Sequence, residues 1–345
     1  MMELPRKVLV GQGVIADLGR FVRELASANK VIVVTGPHVK QKLGKRVGDS
    51  LKSAGITIIW FVSESATKDI AEQIAKQATK EKVSHIIGLG GGKSVDLSKL
   101  AAFYSNIAFV SVPTSASHDG MSSPFASMKG LDKPYSIVAK PPAGILADID
   151  VIADAPRRLI LSGCGDLVAK ITAVKDWELA RDDVGEYYGR YAASLAMLGA
   201  EMFIENASRW KDCSVDSVRE IVEALISGGV AAGIAGSSRP CSGSEHLISH
   251  ALDLIAPGKG LHGEKCGIGT ILMAKLHGLE WDKISKALKS IGSPTTAEAI
   301  GIDAETMAKA VVMAATVRPE RYTILSKKKL NNAEAMKLIT SAGVA

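Results

Sequence analysis

Three of the seven histidines of this chain fall between His246 and His262, in the stretch CSGSEHLISHALDLIAPGKGLHGEKCGIGT from Cys241 to Thr270. His246 and His250 are four apart in a segment that reads as helix from Glu245 to Leu254. Its apolar positions are Leu247, Ile248, Ala251 and Leu252, so both imidazoles project from one face. His262 follows a Pro257/Gly258/Gly260 turn and opens a second apolar run. Two neutral imidazoles from adjacent helices are two ligands for a divalent metal, and an oxygen ligand from elsewhere would complete a catalytic three-ligand site. The spacing alone equally allows histidines that line a helix surface. The order is not HExxH, because Glu245 precedes His246 and position 247 is Leu, which disfavours a zinc protease. Asp166, in SGCGDLVAK between a Gly/Cys/Gly turn and an apolar helix, is the best source of the missing oxygen. The same position also suits a plain carboxylate at a helix start, stabilised by the amides and the dipole there.

Two glycine-rich loops compete to hold a phosphate. Gly11, Gly13 and Ala16 fit GxGxxA between a strand and a helix, but the next strand ends in Thr35, Gly36 and Pro37, with no acidic residue to meet a ribose. GLGGGKSVD, from Gly88 to Asp96, has four glycines among five residues and runs from a strand into a helix near Ser94. Bare amides at that helix start can approach a pyrophosphate; a tight turn of the same composition needs no ligand. A P-loop would need glycine where Ile87 stands. A third loop, PTSASHDGMSS from Pro113 to Ser123, brings Thr114, Ser115, Ser117, His118, Asp119 and Ser123, enough to hold cofactor and substrate side by side.

The elements that must position these residues alternate over the first part of the chain. Short β-rich runs (Val8 to Gly11, Val31 to Thr35, Ile56 to Val62, His85 to Leu89, Ala108 to Val112) are separated by amphipathic segments such as Val14 to Ala26, Val39 to Ala54 and Asp69 to Lys82. The pattern predicts an α/β, Rossmann-like N-terminal domain over residues 1–150, with a mostly parallel sheet whose ligands sit beyond the carboxyl ends of its strands. Beyond it helical patterns dominate: Arg158 to Asp176, Tyr187 to Glu205, Val215 to Leu225, Gly269 to His277, Trp281 to Ile291, Thr295 to Ala299, Ala304 to Ala314 and Asn332 to Ser341. An all-helical C-terminal domain, residues 151–345, is expected to bind metal and substrate.

At 345 residues and 47% hydrophobic, the chain is long enough to bury a sizeable core in two domains. Its net charge of +6 comes from scattered Lys and Arg, and no aromatic residues interleave with the one tight run, Lys327 to Lys329. Nucleic acid binding is therefore not expected; an anionic substrate or cofactor is the easier account. Four cysteines without CxxC spacing fit reduced thiols in a cytoplasm. MMELPRKVLVGQG has no apolar signal region, and no run of about eighteen apolar residues exists, so stable membrane insertion is not expected.

Five segments, GGGKSVD (90–96), PTSASHDGMSSP (113–124), GCGDLVAK (163–170), SGSEHLISHALD (242–253) and HGEKCGIG (262–269), occur in that order. Through them nearly the whole chain resembles the archaeal sn-glycerol-1-phosphate dehydrogenases, within the wider group of glycerol dehydrogenases, iron-containing alcohol dehydrogenases and dehydroquinate synthases. The HDGMSSP and SEHLISHALD segments separate it from that wider group. The resemblance implies reduction of dihydroxyacetone phosphate to sn-glycerol 1-phosphate with NADH or NADPH, the step that sets the glycerol stereochemistry of archaeal membrane lipids. It implies one zinc ion per subunit on Asp166, His246 and His262, and substrate contacts at Asp119, Asp166 and His250. It places cofactor contacts at Gly92, Lys93, Ser94, Val95, Asp96, Thr114, Ser115, Ala116, Ser117 and Ser123. His250 is then the candidate to orient the substrate or relay a proton, and Asp119 to bind a substrate hydroxyl. Arg239, Lys259 and Lys265 are the cations nearest in sequence for the substrate phosphate. The alternative is another activity of the group, a glycerol dehydrogenase or a dehydroquinate synthase-like lyase. A metal-buffering or scaffold protein is the non-enzymatic reading, against which the glycine loops argue. A homo-oligomer is expected. Because no acidic residue follows Thr35 until Asp49, acceptance of both cofactors is expected, with Lys40 or His38 facing the extra phosphate of NADPH.

Overall fold

Parallel strands covered by helices on both faces read as near-continuous apolar runs, and KVIVVT and AFVSVP are of that kind. In the computed structural model, which describes residues 2–127 and 137–345, they lie inside a six-stranded sheet. The chain divides into two compact units, Met1–Ala116 with Gly120–Ala155, and Pro156–Ala345 with Ser117–Asp119.

In the first unit the elements run β1 (Lys7–Gly11), α1 (Leu18–Leu25), β2 (Lys30–Thr35), α2 (Pro37–Ser53), β3 (Thr57–Val62), α3 (Lys68–Lys80), β4 (His85–Gly90), α4 (Gly92–Ser105) and β5 (Ala108–Pro113). A two-stranded antiparallel ribbon, β6 (Phe125–Ala126) and β7 (Ile137–Val138), precedes β8 (Gly144–Asp148) and the short α5 (Ile149–Ala153). The sheet order is β1-β8-β5-β4-β2-β3, with every neighbouring pair parallel. Alternation along β2 sends Val31 and Val33 to a core with Phe21, Val22, Val47 and Leu51 of α1 and α2. Ile32 and Val34 face the opposite core, with Ile74, Leu97 and Leu100 of α3 and α4. The chain leaves β2 toward β3 and leaves β4 toward β5, in opposite directions along the sheet. The carboxyl ends of β2 and β4 are therefore a topological switch point, where such sheets take ligands. Strand β8 is absent from the sequence reading. GILAD is only five residues long and follows PPA, a turn-like composition that hides it, yet every one of its residues is buried.

The second unit is helical: α6 (Arg157–Val184), α7 (Arg190–Trp210), α8 (Val215–Ala235), α9 (Ser244–Ile255), α10 (His262–Leu276), α11 (Trp281–Ile291), α12 (Ala304–Val317), α13 (Ile324–Lys328) and α14 (Asn332–Ser341). Among the described residues no helix is long and apolar enough to cross a membrane. Three expectations need correction. Thr295 to Ala299 is not a helix; only a 3-10 turn at Glu298–Ile300 forms there. Helix α10 begins at His262 rather than Gly269, and Asp166 lies well inside α6 rather than at its start.

Both of the latter errors have one cause: glycines that read as turn residues are helical and serve packing. A Cβ on Gly165 would lie 2.1 Å from the Gly263 carbonyl oxygen, and one on Gly263 would lie 1.7 Å from that of Ser162. The backbones of α6 and α10 thus meet without side chains between them, and the Gly263 N–H donates to Ser162 Oγ at 3.1 Å. Gly269 does the same against α9, where a Cβ would be 2.9 Å from the Glu245 carbonyl oxygen. Gly263→Ala should therefore lower stability by about 3 kcal/mol, read from urea unfolding. Gly48→Ala in α2, with nothing within 4 Å of the new Cβ, should raise it by roughly 0.5–1 kcal/mol.

Candidate metal and cofactor sites

The α6–α10 contact brings Asp166 beside His262, and α9 supplies His246. Asp166 Oδ1 is 3.5 Å from His246 Nε2 and 3.7 Å from His262 Nε2. Metal–ligand bonds of about 2.0–2.3 Å at tetrahedral angles put neighbouring ligand atoms roughly 3.3–3.7 Å apart, so these three atoms fit a zinc-sized ion. Asp166 and His246 are 1% and 8% exposed, whereas His262 is 34% exposed, which leaves that corner open to a small ligand. His246 is held from behind: its Nδ1 lies 2.7 Å from Glu245 Oε1. Glu245 is fully buried, and it also accepts from Thr172 Oγ1 at 2.7 Å and from the Gly243 N–H at 2.6 Å. A carboxylate on Nδ1 fixes the tautomer that presents Nε2 to a metal. Burial opposes a charge on His246, but the Cys266 sulfur, Asp166 and Glu245 outweigh it and raise its pKa well above the ordinary value. The place toward which Nε2 points is one that attracts a cation.

The other oxygen of Asp166 is fully occupied. Oδ2 accepts from Lys170 Nζ at 2.8 Å and from the backbone N–H of Asp119 at 3.0 Å. Lys170, with no exposure at all, also lies 2.7 Å from Asp119 Oδ2. Burial works against its charge, yet the carboxylates of Asp119 and Asp166 hold its pKa well above the usual lysine value. Asp166 is likewise kept ionised, Lys170 and His246 overcoming its burial. The loop 117–119 is tied to α6 by Ser162 Oγ, which donates to the Ser117 carbonyl at 3.2 Å. His118 and His250 complete a ring of imidazoles around His262, at centroid distances of 6.0 and 6.5 Å. Burial, then the charges of His246, Arg318, Lys265 and Arg321, push the pKa of His250 down to about 3, so it is a neutral imidazole.

In the first unit the two glycine loops prove unequal. The amides after β1 are already answered: Asp148, at the end of β8, accepts from the N–H groups of Gly13 at 3.2 Å and Ile15 at 2.9 Å. It also accepts from Asp150 and Val151. A carboxylate of the chain thus stands where a phosphate would have to sit. The loop after β4 lies at the switch point and opens α4, with Gly90 at φ +151° and Gly91 as the N-cap residue. The Thr114 N–H donates to the Gly90 carbonyl at 3.0 Å, which sets the third loop alongside it. Of the residues expected at the cofactor, Gly92, Lys93, Ser94, Thr114 and Ser117 are at least partly exposed. Val95 and Ala116 are buried, Ser115 nearly so. Asp96 is held by Lys99 at 3.3 Å and the Ser127 N–H at 3.1 Å, and Ser123 Oγ accepts from the Phe125 N–H at 3.0 Å. Among the cations, Arg239 is bound through two nitrogens to Glu186, Lys265 lies 2.5 Å from Asp253, and Lys259 is exposed. The Lys40 ammonium sits 3.1 Å above the Trp60 ring centroid.

Comparison with known proteins decides the family. A curated protein of Nitrosopumilus maritimus, glycerol-1-phosphate dehydrogenase [NAD(P)+], is 52% identical over 343 residues, covering 99% of this chain and 96% of that one. One of the same description from Cenarchaeum symbiosum is 52% identical, covering 100% and 97%. The chain belongs to the NAD(P)-dependent glycerol-1-phosphate dehydrogenase family. The family model for iron-containing alcohol dehydrogenase matches residues 9–156. The solved glycerol dehydrogenase of Schizosaccharomyces pombe superposes with a TM-score of 0.82 at 22% identity, covering 99% of this chain and 90% of that one, and shares the fold.

For this member of the glycerol-1-phosphate dehydrogenases, sequence reasoning missed Lys170, Glu245, Cys266 and Asp148. Lys170 carried a signal, an acid–base pair four apart in an otherwise apolar helix. Glu245 was weighed only as part of a protease motif. Lys170→Met would leave the buried Asp166 and the partly buried Asp119 without their counter-charge and should lower the stability of the metal-free chain by about 3–5 kcal/mol. Urea unfolding measures this, and a loss below about 1 kcal/mol would mean that the ammonium is not what holds the pair together.

Proposed function

We propose that this chain reduces dihydroxyacetone phosphate to sn-glycerol 1-phosphate with NADH or NADPH, using one zinc ion on Asp166, His246 and His262. The observation that carries this reading is the convergence of Asp166 Oδ1 with the two Nε2 atoms at 3.5 and 3.7 Å, with the His262 corner exposed. Bound there, the metal supplies Lewis-acid polarisation of the substrate carbonyl. Reduction adds a hydride to the carbonyl carbon and a proton to its oxygen. His250, neutral and one turn from His246, offers a hydrogen bond that orients the substrate or passes on that proton. Asp119, steadied by Lys170, accepts a hydrogen bond from a substrate hydroxyl. The amides at the start of α4, with the hydroxyls of Thr114 and Ser117, receive the dinucleotide. The product is of the kind that archaeal membrane lipids are built on, and the reaction belongs in a cytoplasm.

Dihydroxyacetone phosphate should oxidise NADH in the presence of the purified chain; no loss of absorbance, as a lyase would give, overturns the reading. His262→Ala should lose activity and bind zinc far more weakly, because it removes one of the three ligands that converge at Asp166 Oδ1. His250→Ala should keep stoichiometric zinc while turnover falls by about a hundredfold; loss of metal would exchange the roles of His246 and His250.

Acceptance of both cofactors rests on Gly36, which follows β2 at the switch point, with no acidic residue after Thr35 in the sequence until Asp49. Lys40 can meet the extra phosphate only by leaving the Trp60 face. Comparison of kcat/KM for NADH and NADPH should show a preference under about a thousandfold, roughly 4 kcal/mol. Gly36→Asp should impair NADPH use far more than NADH use.

A further inference from the structure

We propose that Cys266 is a fourth ligand of the metal held by Asp166, His246 and His262, so that the site carries a soft sulfur donor beside its nitrogen and oxygen donors. The inference rests on the three-ligand reading above and adds a soft donor to it. Cys266 lies one turn beyond His262 on α10, and its Sγ is 3.7 Å from His262 Nε2, as close as Asp166 Oδ1 is. The ligand atoms of His246, His262 and Cys266 all lie within 4.8 Å of one another. A metal–sulfur bond of about 2.3 Å beside a metal–nitrogen bond of about 2.0 Å gives a tetrahedral edge near 3.5 Å, so the sulfur stands at the distance of a neighbouring ligand. Cys266 is fully buried, which keeps its sulfur from bulk water and turned to the imidazoles. On binding, the metal–sulfur bond forms and the thiol proton leaves to solvent, with no change of oxidation state. The exposed His262 corner is the side from which a substrate oxygen would approach the ion. A thiolate also biases the site toward zinc or cobalt and against manganese or magnesium.

The test replaces zinc by cobalt(II) in the full chain and records its near-ultraviolet spectrum. A thiolate-to-cobalt charge-transfer band is expected in the native protein. It should vanish in Cys266→Ser while cobalt stays stoichiometric. It should persist in Cys241→Ala, whose own sulfur donates to the Gly228 carbonyl at 3.0 Å. Cys266→Ala should weaken zinc binding by at least about tenfold in a chelator competition. Stoichiometric cobalt without the band in the native chain, or a band that survives Cys266→Ser, overturns the proposal and leaves the three-ligand site standing. Failure of the native chain to bind cobalt at all overturns the three-ligand reading itself.

Discussion

Two glycines, Gly165 and Gly263, let the backbones of α6 and α10 touch, and the spacing around Asp166 follows from that contact. Asp166 is the residue after one of them and His262 the residue before the other. A helix pair separated by ordinary side chains has its axes 8–10 Å apart. The closer approach here sets the 3.7 Å between Asp166 Oδ1 and His262 Nε2. The same contact draws Cys266 inward from the following turn. The third glycine, Gly269, repeats the arrangement against α9 and so fixes the depth of His246.

Around this geometry the charges are arranged so that each group leaves one atom for the ligand. Asp166 gives Oδ2 to Lys170 and the Asp119 amide and keeps Oδ1. His246 gives Nδ1 to Glu245 and keeps Nε2. Asp166 and Glu245 are buried carboxylates, answered by the Lys170 ammonium and by His246, whose pKa they raise. Buried charges of this kind are tolerated only when each has a partner.

The sheet was legible because its strands are apolar runs bounded by glycine and polar turns, and the histidine spacing was legible because α9 is amphipathic. What escaped had physical reasons. GILAD is too short and too close to prolines to stand out as β8. Gly163, Gly165 and Gly263 carry the composition of a loop, which in sequence masks the helix around Asp166 and the first two turns of α10. The Asp166/Lys170 spacing is visible in sequence, but only the fold brings Asp119 to Lys170 from a loop 51 residues earlier. Cys266 needed the true start of α10 before its position one turn beyond His262 could mean anything.

Asp148 carries one more consequence. By filling the amides after β1 with its own carboxylate, the chain makes that end of the sheet independent of any dissolved anion. At the start of α4, among the described residues, the N-cap residue Gly91 provides no side-chain cap. An anion bound at that helix start would stabilise the β4–α4 loop by mass action, whereas the amides after β1 already have Asp148.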